Sequence, residues 1–240
     1  MELSIIIPAF NESEKIKKDI IAANQFIRDN FDSGEVIIVD DGSSDDTFEA
    51  ANSLKSDVTS KLNIIRLNQN SGKGAAIKEG MIASNGKIVL YADAGLTVPF
   101  ENALKGIILI RNNHCDIAIG SRKLSKSNIL KRQDADRRII STIFRKLTRL
   151  FFKIPNEITD TQCGFKIYNG EVAREIFPQL KIAGFLFEIE FILLALQSGY
   201  KIFEFPITWS CDRDSRLSVK KSSKNILTEF YSLYKEFRKK

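Results

Sequence analysis

Residues 87–99 read Lys-Ile-Val-Leu-Tyr-Ala-Asp-Ala-Gly-Leu-Thr-Val-Pro, and the other elements predicted below are arranged around this stretch. Its apolar run is too short for a helix and follows Asn85-Gly86, so it predicts a buried strand. The strand ends in Asp93, which places a carboxylate at the carboxyl edge of a central sheet, where open α/β folds bind their ligands. Asp93 is therefore the first candidate site residue. An ordinary turn aspartate is the alternative at this point.

Three earlier strands end in polar turns that open helices. The first strand, residues 3–8, leads through Ala-Phe-Asn-Glu to an amphipathic helix over residues 13–31. The second, residues 35–39, ends in Asp-Asp-Gly-Ser-Ser-Asp-Asp-Thr, where Asp45 or Asp46 is expected to cap a helix. The third, residues 62–67, leads through a glycine-rich turn, which suits a phosphate, to a helix over residues 75–83. The first two tips are expected on the same sheet edge.

The alternation of strand and helix continues through residues 87–92, 100–112 and 117–120. It predicts an α/β fold with a mainly parallel central sheet and helices on both faces. The first turn lacks Gly-x-Gly-x-x-Gly, which disfavours a nicotinamide or flavin enzyme, and the glycine-rich turn lacks the spacing of a P-loop.

Composition is that of an ordinary globular protein. The 240 residues are 43% hydrophobic and 28% charged, enough for one large or two small domains. Three widely spaced cysteines without a metal-ligand pattern indicate reduced thiols in a cytosolic compartment. We expect no signal peptide, because Glu2 interrupts the amino terminus, and no membrane span, because the apolar run at 191–196 is far shorter than about 20 residues.

The formal charge of +6 is concentrated in residues 126–153 and 220–240. Such a distribution suits an anionic partner, whether nucleic acid, acidic lipid headgroups or a phosphorylated substrate, or else a solvated basic face. Residues 134–153 interleave Arg and Lys with apolar residues at helical spacing. This pattern fits either an interfacial amphipathic helix on an anionic membrane or a helix packed on the sheet with a basic outer face.

Taken together, the motifs resemble the family 2 glycosyltransferases of the GT-A fold. They are Ile7-Pro8-Ala9-Phe10-Asn11-Glu12, Val39-Asp40-Asp41-Gly42-Ser43-Ser44-Asp45-Asp46-Thr47, Asn70-Ser71-Gly72-Lys73-Gly74 and Tyr91-Ala92-Asp93-Ala94. The later half looks like the dolichyl-phosphate glucosyltransferase and polyprenyl-phosphate mannosyltransferase branch. Its motifs are Gly120-Ser121-Arg122, Asp160-Thr161-Gln162-Cys163-Gly164-Phe165-Lys166, Phe187-Glu188-Ile189-Glu190 and Glu204-Phe205-Pro206-Ile207-Thr208-Trp209.

The resemblance implies roles for individual residues. Asp93 would hold Mg²⁺ or Mn²⁺ on the diphosphate, and Arg122 would lie at the acceptor or diphosphate side. Glu190, rather than Glu188, is the candidate base for an alcohol acceptor. The implied substrate-binding residues are Pro8, Phe10, Glu12, Val39, Asp41, Lys73, Ala94, Asp160, Gln162, Lys166 and Arg216. For Cys163, Gly164 and Phe165 we favour core packing and a turn.

Two positions depart from the family pattern. The family has Asp-Ala-Asp where this chain has Asp93-Ala94-Gly95, and Phe-Asp-x-Glu where it has Phe187-Glu188-Ile189-Glu190. The second exchange keeps the charge. The first removes a potential metal ligand, so either Asp93, the diphosphate and water hold the metal, or the enzyme is weak or inactive.

The resemblance therefore implies an inverting hexosyltransferase that acts on a polyprenyl phosphate such as dolichyl or undecaprenyl phosphate. UDP-glucose is the first choice of donor and GDP-mannose the second, and no nucleic acid is expected as a partner. We expect a cytoplasmic protein, peripheral on an anionic membrane face, with a glycosyltransferase domain at residues 1–218 and a basic amphipathic helix at 219–240. The alternatives are a transferase for a soluble or glycan acceptor and a non-catalytic protein that only binds a nucleotide sugar.

Overall fold

The central sheet has seven strands in the computed structural model, which describes residues 1–132, 135–211 and 219–238. These strands are β1 (Leu3–Ala9), β2 (Gly34–Asp40), β3 (Lys61–Arg66), β4 (Ile88–Ala92), β5 (Ile117–Ser121), β7 (Phe165–Asn169) and β8 (Ile202–Pro206). Two short strands, β6 (Asn128–Lys131) and β9 (Thr208–Ser210), pair in parallel beside it.

The strand order is β3-β2-β1-β4-β7-β5-β8. Strand β7 runs antiparallel to both of its neighbours, β4 and β5, whereas the other neighbouring strands run parallel. The predicted mainly parallel sheet is therefore confirmed, and the carboxyl ends of β1, β2, β3 and β4 share one edge. Strand β7 was not predicted, because its sequence was interpreted as packing residues after a turn.

Eight helices lie in the described ranges. They are α1 (Ile16–Asn30), α2 (Thr47–Asn52), α3 (Lys73–Ala83), α4 (Ala103–Arg111), α5 (Ala135–Phe152), α6 (Gly170–Ile176), α7 (Phe187–Gln197) and α8 (Val219–Phe237). Helix α4 is preceded by a 3₁₀ turn at Phe100–Asn102, which the sequence pattern had merged with it. Asp46 precedes α2 without capping it through its side chain, and Asp45 accepts instead from the Thr47 N–H over 3.0 Å.

The core has a layer on each face of the sheet. Ile5 of β1 and Ile20 of α1 belong to one apolar cluster, whereas Ile6 of β1 and Ile192 of α7 belong to the other. Neighbouring residues of β1 thus point to opposite faces, and both faces are covered by helices. The helices predicted on both faces are confirmed. Leu233 of α8 is buried in the second cluster, and a domain boundary before residue 219 stays a prediction.

None of the helices in these ranges has both the length and the apolar character that a bilayer crossing needs. The three cysteines are thiols, with Cys115 and Cys163 buried and Cys211 half-buried.

Candidate active site at the carboxyl edge of the sheet

Asp93 follows β4 directly, and its carboxylate is held by two side chains. The Tyr91 hydroxyl donates to Oδ1 over 2.6 Å, and the Lys73 ammonium lies 2.8 Å from the same oxygen. The backbone N–H of Asp93 donates to the Gly164 carbonyl over 2.9 Å. The side chain is 32% exposed, so a fixed carboxylate reaches solvent at the sheet edge where the sequence placed it.

Gly164 makes room for that carboxylate. A Cβ at this position would lie 2.0 Å from Oδ2 of Asp93, far inside van der Waals contact. The predicted burial of Cys163 and Phe165 is confirmed, since each is 1% exposed. Gly164, which was expected only to form a turn, is required because β7 passes against the Asp93 carboxylate.

A buried ion pair lies beneath Asp93. The ammonium of Lys166 donates to the carboxylate of Glu188 at the start of α7. The Tyr91 ring has the Lys166 ammonium 5.8 Å and the Lys73 ammonium 5.6 Å from its centroid. Burial disfavours the charge on Lys73, but the carboxylates of Asp93 and Glu188 outweigh it and raise the pKa of Lys73. Lys73 therefore carries a positive charge at neutral pH.

Arg122 lies after β5 and is paired with Asp160. Its Nε donates to Oδ2 and one terminal nitrogen to Oδ1, each over 2.7 Å, and the Arg122 backbone N–H also reaches Oδ2 over 2.9 Å. The guanidinium stacks on Trp209, 5.3 Å from the ring centroid. Burial alone would raise the pKa of Asp160, but these bonds to Arg122 lower it. The bidentate pair fixes a cation whose charge is not lost at any ordinary pH.

Asp41 ties the tip of β2 to the glycine-rich turn before α3. Its Oδ1 accepts from the Ser71 N–H over 2.7 Å and its Oδ2 from the Gly72 N–H over 3.0 Å. Burial raises the pKa of Asp41, and the two N–H groups oppose that rise. Gly72 has φ of 102°, a conformation that side chains rarely adopt, so the turn needs glycine there.

The tip of β1 is locked to the same loop of β2. The Asn11 N–H donates to the Ser43 hydroxyl over 2.9 Å, and the Glu12 N–H donates to the Thr47 hydroxyl over 2.8 Å. Phe10 and Glu12 are half-buried beside it, as is Pro8 within β1. Val39 is fully buried in the core, so its side chain supports this edge from below.

Not every predicted site residue faces solvent at this edge. Asp160 and Lys166 are buried behind Arg122 and Glu188, and substrate contact by their side chains stays a prediction. Glu190 is 1% exposed, and its carboxylate accepts from the backbone N–H groups of Lys181 and Ile182. Glu190 as a base also stays a prediction, although its oxygens brace a loop. Arg216 lies outside the described residues.

Gly95 is constrained by its backbone. It has φ of 89°, and Leu96 after it has φ of 48°. The N–H groups of both residues donate to the buried carboxylate of Asp19 on α1. An aspartate at position 95 would therefore be strained.

The metal ligands that the protein offers at this edge fit an ion whose remaining ligands are supplied largely by the substrate. In the part of the chain that the structure describes, no cluster of three or more His, Cys, Asp or Glu side chains could hold a metal ion. One oriented carboxylate, that of Asp93, faces the site beside the half-buried Ala94. A magnesium-like ion commonly takes one or two carboxylates and completes its shell with phosphate oxygens and water.

Three residues of this site were missed from the sequence alone: Tyr91, Gly164 and Asp19. Tyr91 could have been found, because residues two apart on a strand point to the same face and Tyr91 precedes Asp93 by two. No sequence signal distinguishes Asp19 from other polar residues of an amphipathic helix, and only the tertiary fold brings it to Gly95.

Helices α5 and α8 pack together. Phe151 and Phe152 of α5 stack edge to face on Phe230 of α8, with ring centroids 5.5 and 5.1 Å apart. The exposed apolar residues of these two helices form what we call the α5–α8 surface: Leu147, Leu150, Phe151, Leu227 and Tyr231. Basic residues beside it include Arg145, Lys146 and Lys235. The predicted helix at 134–153 is observed from Ala135 to Phe152; Asp134 lies outside the described residues.

Comparisons with known proteins agree with this architecture. The family model described as "Glycosyl transferase family 2" matches residues 4–177. The chain is 33% identical to a dolichyl-phosphate beta-glucosyltransferase of Dictyostelium discoideum, covering 92% of this chain and 70% of that protein. It is 34% identical to the enzyme of that name from Saccharomyces cerevisiae, covering 86% of this chain and 66% of the other.

Solved structures show the same fold at low sequence identity. A mannosyl-3-phosphoglycerate synthase from Rubrobacter xylanophilus matches with a TM-score of 0.71 and 15% identity, covering 100% of this chain and 74% of the other. A glucosyl-3-phosphoglycerate synthase from Mycobacterium tuberculosis, in complex with Mn²⁺ and UDP-glucose, matches with a TM-score of 0.68 and 17% identity, covering 96% and 78%. The expected GT-A fold is thereby confirmed.

Proposed function

The chain belongs to glycosyl transferase family 2, and we propose that it transfers glucose from a nucleoside-diphosphate sugar to a polyprenyl phosphate, with inversion at the anomeric carbon. The observation that carries the proposal is the identity of 33% with a dolichyl-phosphate beta-glucosyltransferase over 92% of this chain. The site adds a carboxylate, Asp93, that is fixed by the cation Lys73. A second cation, Arg122, follows β5, whose carboxyl end lies at the same sheet edge as that of β4.

The donor would lie across the tips of β1, β2 and β4. Phe10, Glu12 and Asp41 would surround the base and ribose, and Asp93 with Ala94 would meet the diphosphate. UDP-glucose is the preferred donor, because relatives are named glucosyltransferases and the neighbour from Mycobacterium tuberculosis was solved with that nucleotide sugar. GDP-mannose is the second choice.

The reaction asks little acid–base chemistry of the protein. An oxygen of the lipid phosphate, already an anion at neutral pH, forms the new bond to the anomeric carbon from the face opposite the diphosphate. The bond between that carbon and the diphosphate oxygen breaks, and its electron pair leaves with the nucleoside diphosphate. Such an acceptor needs no carboxylate base. This agrees with the contacts of Glu188, which pairs with Lys166, and of Glu190, which accepts from a backbone N–H of a loop.

The main task is to stabilise negative charge on the leaving diphosphate. Lys73 carries a positive charge beside Asp93, and Arg122 is fixed by its bidentate bonds to Asp160. Asp93 would hold Mg²⁺ or Mn²⁺, and when bound this ion neutralises charge on the diphosphate. Tyr91 and Gly164 serve this role by keeping the Asp93 carboxylate in one place.

We further propose that the protein works peripherally at the cytoplasmic face of a membrane. A long isoprenoid cannot leave the bilayer cheaply, since each exposed methylene costs about 0.8 kcal/mol, so the enzyme must come to the phosphate. The α5–α8 surface, with basic residues beside exposed Leu150 and Leu227, suits an anionic leaflet.

A transfer assay with matched acceptors tests the function. Purified protein is given UDP-glucose or GDP-mannose, Mg²⁺ or Mn²⁺, and either undecaprenyl phosphate or undecaprenol in detergent. We expect glucosyl lipid with the phosphate and UDP-glucose, and no product with the alcohol. Transfer to 3-phosphoglycerate or a sugar, but not to the lipid phosphate, would show a soluble acceptor, and donor binding without transfer to any acceptor would show a non-catalytic protein.

A further inference from the structure

Asp19 of α1 is a buried carboxylate that holds a loop rather than its own helix. Its Oδ1 accepts from the N–H groups of Gly95 and Leu96, each over 3.0 Å, and its Oδ2 also lies 3.0 Å from the Gly95 nitrogen. The side chain is 1% exposed, whereas the loop at 93–97 lies at the site edge. The charged side chain thus accepts hydrogen bonds from two backbone N–H groups that are 76 and 77 residues away in sequence.

The loop needs an external anchor. Gly95 and Leu96 are consecutive residues with positive φ, which for a leucine is a rare and costly conformation. Leu96 is also exposed, so apolar burial does not hold it in place. Hydrogen bonds to a fixed acceptor can keep both N–H groups pointing in one direction.

A cavity borders the loop at Gly95, Leu96 and Thr97. This cavity has a volume of about 300 Å³ and is bordered by Lys15, Lys18, Asp19, Thr97, Ser210 and Cys211 together with Gly95 and Leu96. At its far end the loop is tied to β9, because the Ser210 N–H donates to the Thr97 carbonyl over 2.9 Å. Between Asp93 and that tie, Asp19 supplies the polar contacts that hold the loop from the α1 side.

We propose that Asp19 is a positioning residue, which fixes the loop at 93–97 and so presents Asp93 and the backbone of Ala94 and Gly95 to the donor diphosphate. This inference rests on the proposed function, because it assigns the diphosphate to that loop. It also explains how a chain with glycine in place of the second aspartate keeps the loop in one conformation. A buried carboxylate on a neighbouring helix orders the backbone that a metal-bound side chain would otherwise order.

The charged surroundings allow Asp19 to be an acceptor at neutral pH. Burial raises its pKa to about 6, the N–H groups of Gly95 and Leu96 oppose the rise, Glu12 adds to it and Lys15 opposes it. The groups that face it are Glu12 after β1, Lys15 directly before α1, Lys18 on α1, and Cys211 after β9. The carboxyl group is therefore mostly ionised at pH 7.

Helix α1 offers a matched control, Asn24. Its Oδ1 accepts from the N–H groups of Thr59 and Ser60, over 3.1 and 2.9 Å, and from the Thr59 hydroxyl over 3.2 Å. It therefore also ties a loop to α1 by three hydrogen bonds, but that loop enters β3 at the opposite edge of the sheet. Asn24→Ala should cost stability in the same way without touching the site.

The experiment compares Asp19→Ala, Asp19→Asn and Asn24→Ala with the full wild-type chain. Amide hydrogen exchange is followed in peptides that cover residues 94–97 and 59–60, and UDP-glucose binding in Mn²⁺ is measured by calorimetry. We expect Asp19→Ala to speed exchange at 95–96 and to weaken donor binding, each by about tenfold or more. Asp19→Asn, which keeps one acceptor oxygen, should fall between, and Asn24→Ala should speed exchange only at 59–60.

Folded Asp19→Ala or Asp19→Asn with wild-type exchange at 95–96, or with wild-type donor affinity, would overturn the proposal. If Asp19→Ala does not fold, Asp19→Asn carries the test. Neither readout needs an acceptor, so a failed transfer to the lipid phosphate would count against the proposed function alone. A wild type that binds no nucleotide sugar would refute the donor site and, with it, the positioning role.

Discussion

Gly164 and Asp93 are in such close contact that any side chain at position 164 would displace the carboxylate. A Cβ there would lie 2.0 Å from Oδ2 and 2.4 Å from Oδ1 of Asp93. The carboxylate in turn carries the bonds from Tyr91 and Lys73. The position of the central acidic group is therefore determined by the residue directly before the antiparallel strand β7, 71 positions further along the chain than Asp93 itself.

Gly164→Ala should reduce transfer strongly while the protein stays folded. Displacing Asp93 by an ångström or more from its partners should lower kcat by about 100-fold, the scale on which misplaced reacting groups lose rate. Steady-state transfer measures kcat, and circular dichroism measures whether the protein stays folded. The control is Gly199→Ala, which is strained by φ of 79° but has no atom within 4 Å of its added Cβ. Equal activity in both variants would show that Asp93 tolerates movement.

Tyr91→Phe removes the hydroxyl that donates to Asp93 and keeps the ring. Loss of a hydrogen bond to a charged acceptor costs about 1.5 to 3 kcal/mol. We therefore expect donor affinity in Mn²⁺, measured by calorimetry, to fall by about tenfold or more. Tyr168→Phe is the matched control, because Tyr168 is equally buried and stacks on Phe177 and Phe191, whereas the hydroxyl that donates to Asp93 is that of Tyr91. A Tyr91→Phe protein with unchanged affinity would show that Lys73 suffices.

Gly95→Asp should lower stability and should not tighten metal binding. The residue has φ of 89°, and a side chain in such a conformation costs about 1 to 3 kcal/mol. We expect a lower Tm. We also expect that half-maximal transfer needs a Mn²⁺ concentration no lower than in the wild type. Tighter Mn²⁺ binding at unchanged stability would mean that the loop adapts and that the missing carboxylate limits the wild-type protein.

Asp41→Ala should weaken nucleotide binding without unfolding the chain. The substitution removes a carboxylate that holds the N–H groups of Ser71 and Gly72, and a polar contact in a partly buried site is worth about 1 to 3 kcal/mol. Calorimetry with UDP and GDP measures the loss. The control is Asp57→Ala, because Asp57 is an exposed carboxylate that accepts from the neighbouring Ser56 hydroxyl. Unchanged affinity in a folded Asp41→Ala protein would place the base site elsewhere.

The sequence predicted the elements that local pattern determines. The apolar runs of β1, β2 and β4 ended in polar residues at one sheet edge, and the structure confirms that edge. It could not predict β7, because the residues at 165–169 are buried on both faces and show no alternation that would distinguish a strand from core packing.

The contacts that orient the site were less predictable, because they join distant parts of the chain. The bond from the Gly95 N–H to Asp19 and the crowding of Gly164 on Asp93 depend on how helices and strands pack. The hydrogen bonds of the Glu190 carboxylate also depend on packing. Its carboxylate turns to the N–H groups of Lys181 and Ile182, and helical spacing alone says nothing of that loop.

The last prediction concerns docking by the α5–α8 surface. Leu150 and Leu227 are 75% and 71% exposed on adjacent helices, and inserting a leucine side chain into an apolar phase contributes about 1.5 to 3 kcal/mol. Leu150→Glu with Leu227→Glu should therefore weaken sedimentation with anionic vesicles by about 100-fold or more and reduce lipid glucosylation, while UDP-glucose binding stays intact. Ile108→Glu is the matched control, because Ile108 is 56% exposed on α4, which packs on the other face of the sheet. Leucines are preferred to arginines here, since Arg149 donates to the carbonyls of Asn156 and Ile158 and its charge reversal would disturb that loop.

Wild-type binding to anionic vesicles should also weaken as salt rises, because salt screens the attraction between the basic residues and the anionic lipids. A wild-type protein that ignores anionic vesicles at low salt would contradict the docking and favour a soluble acceptor.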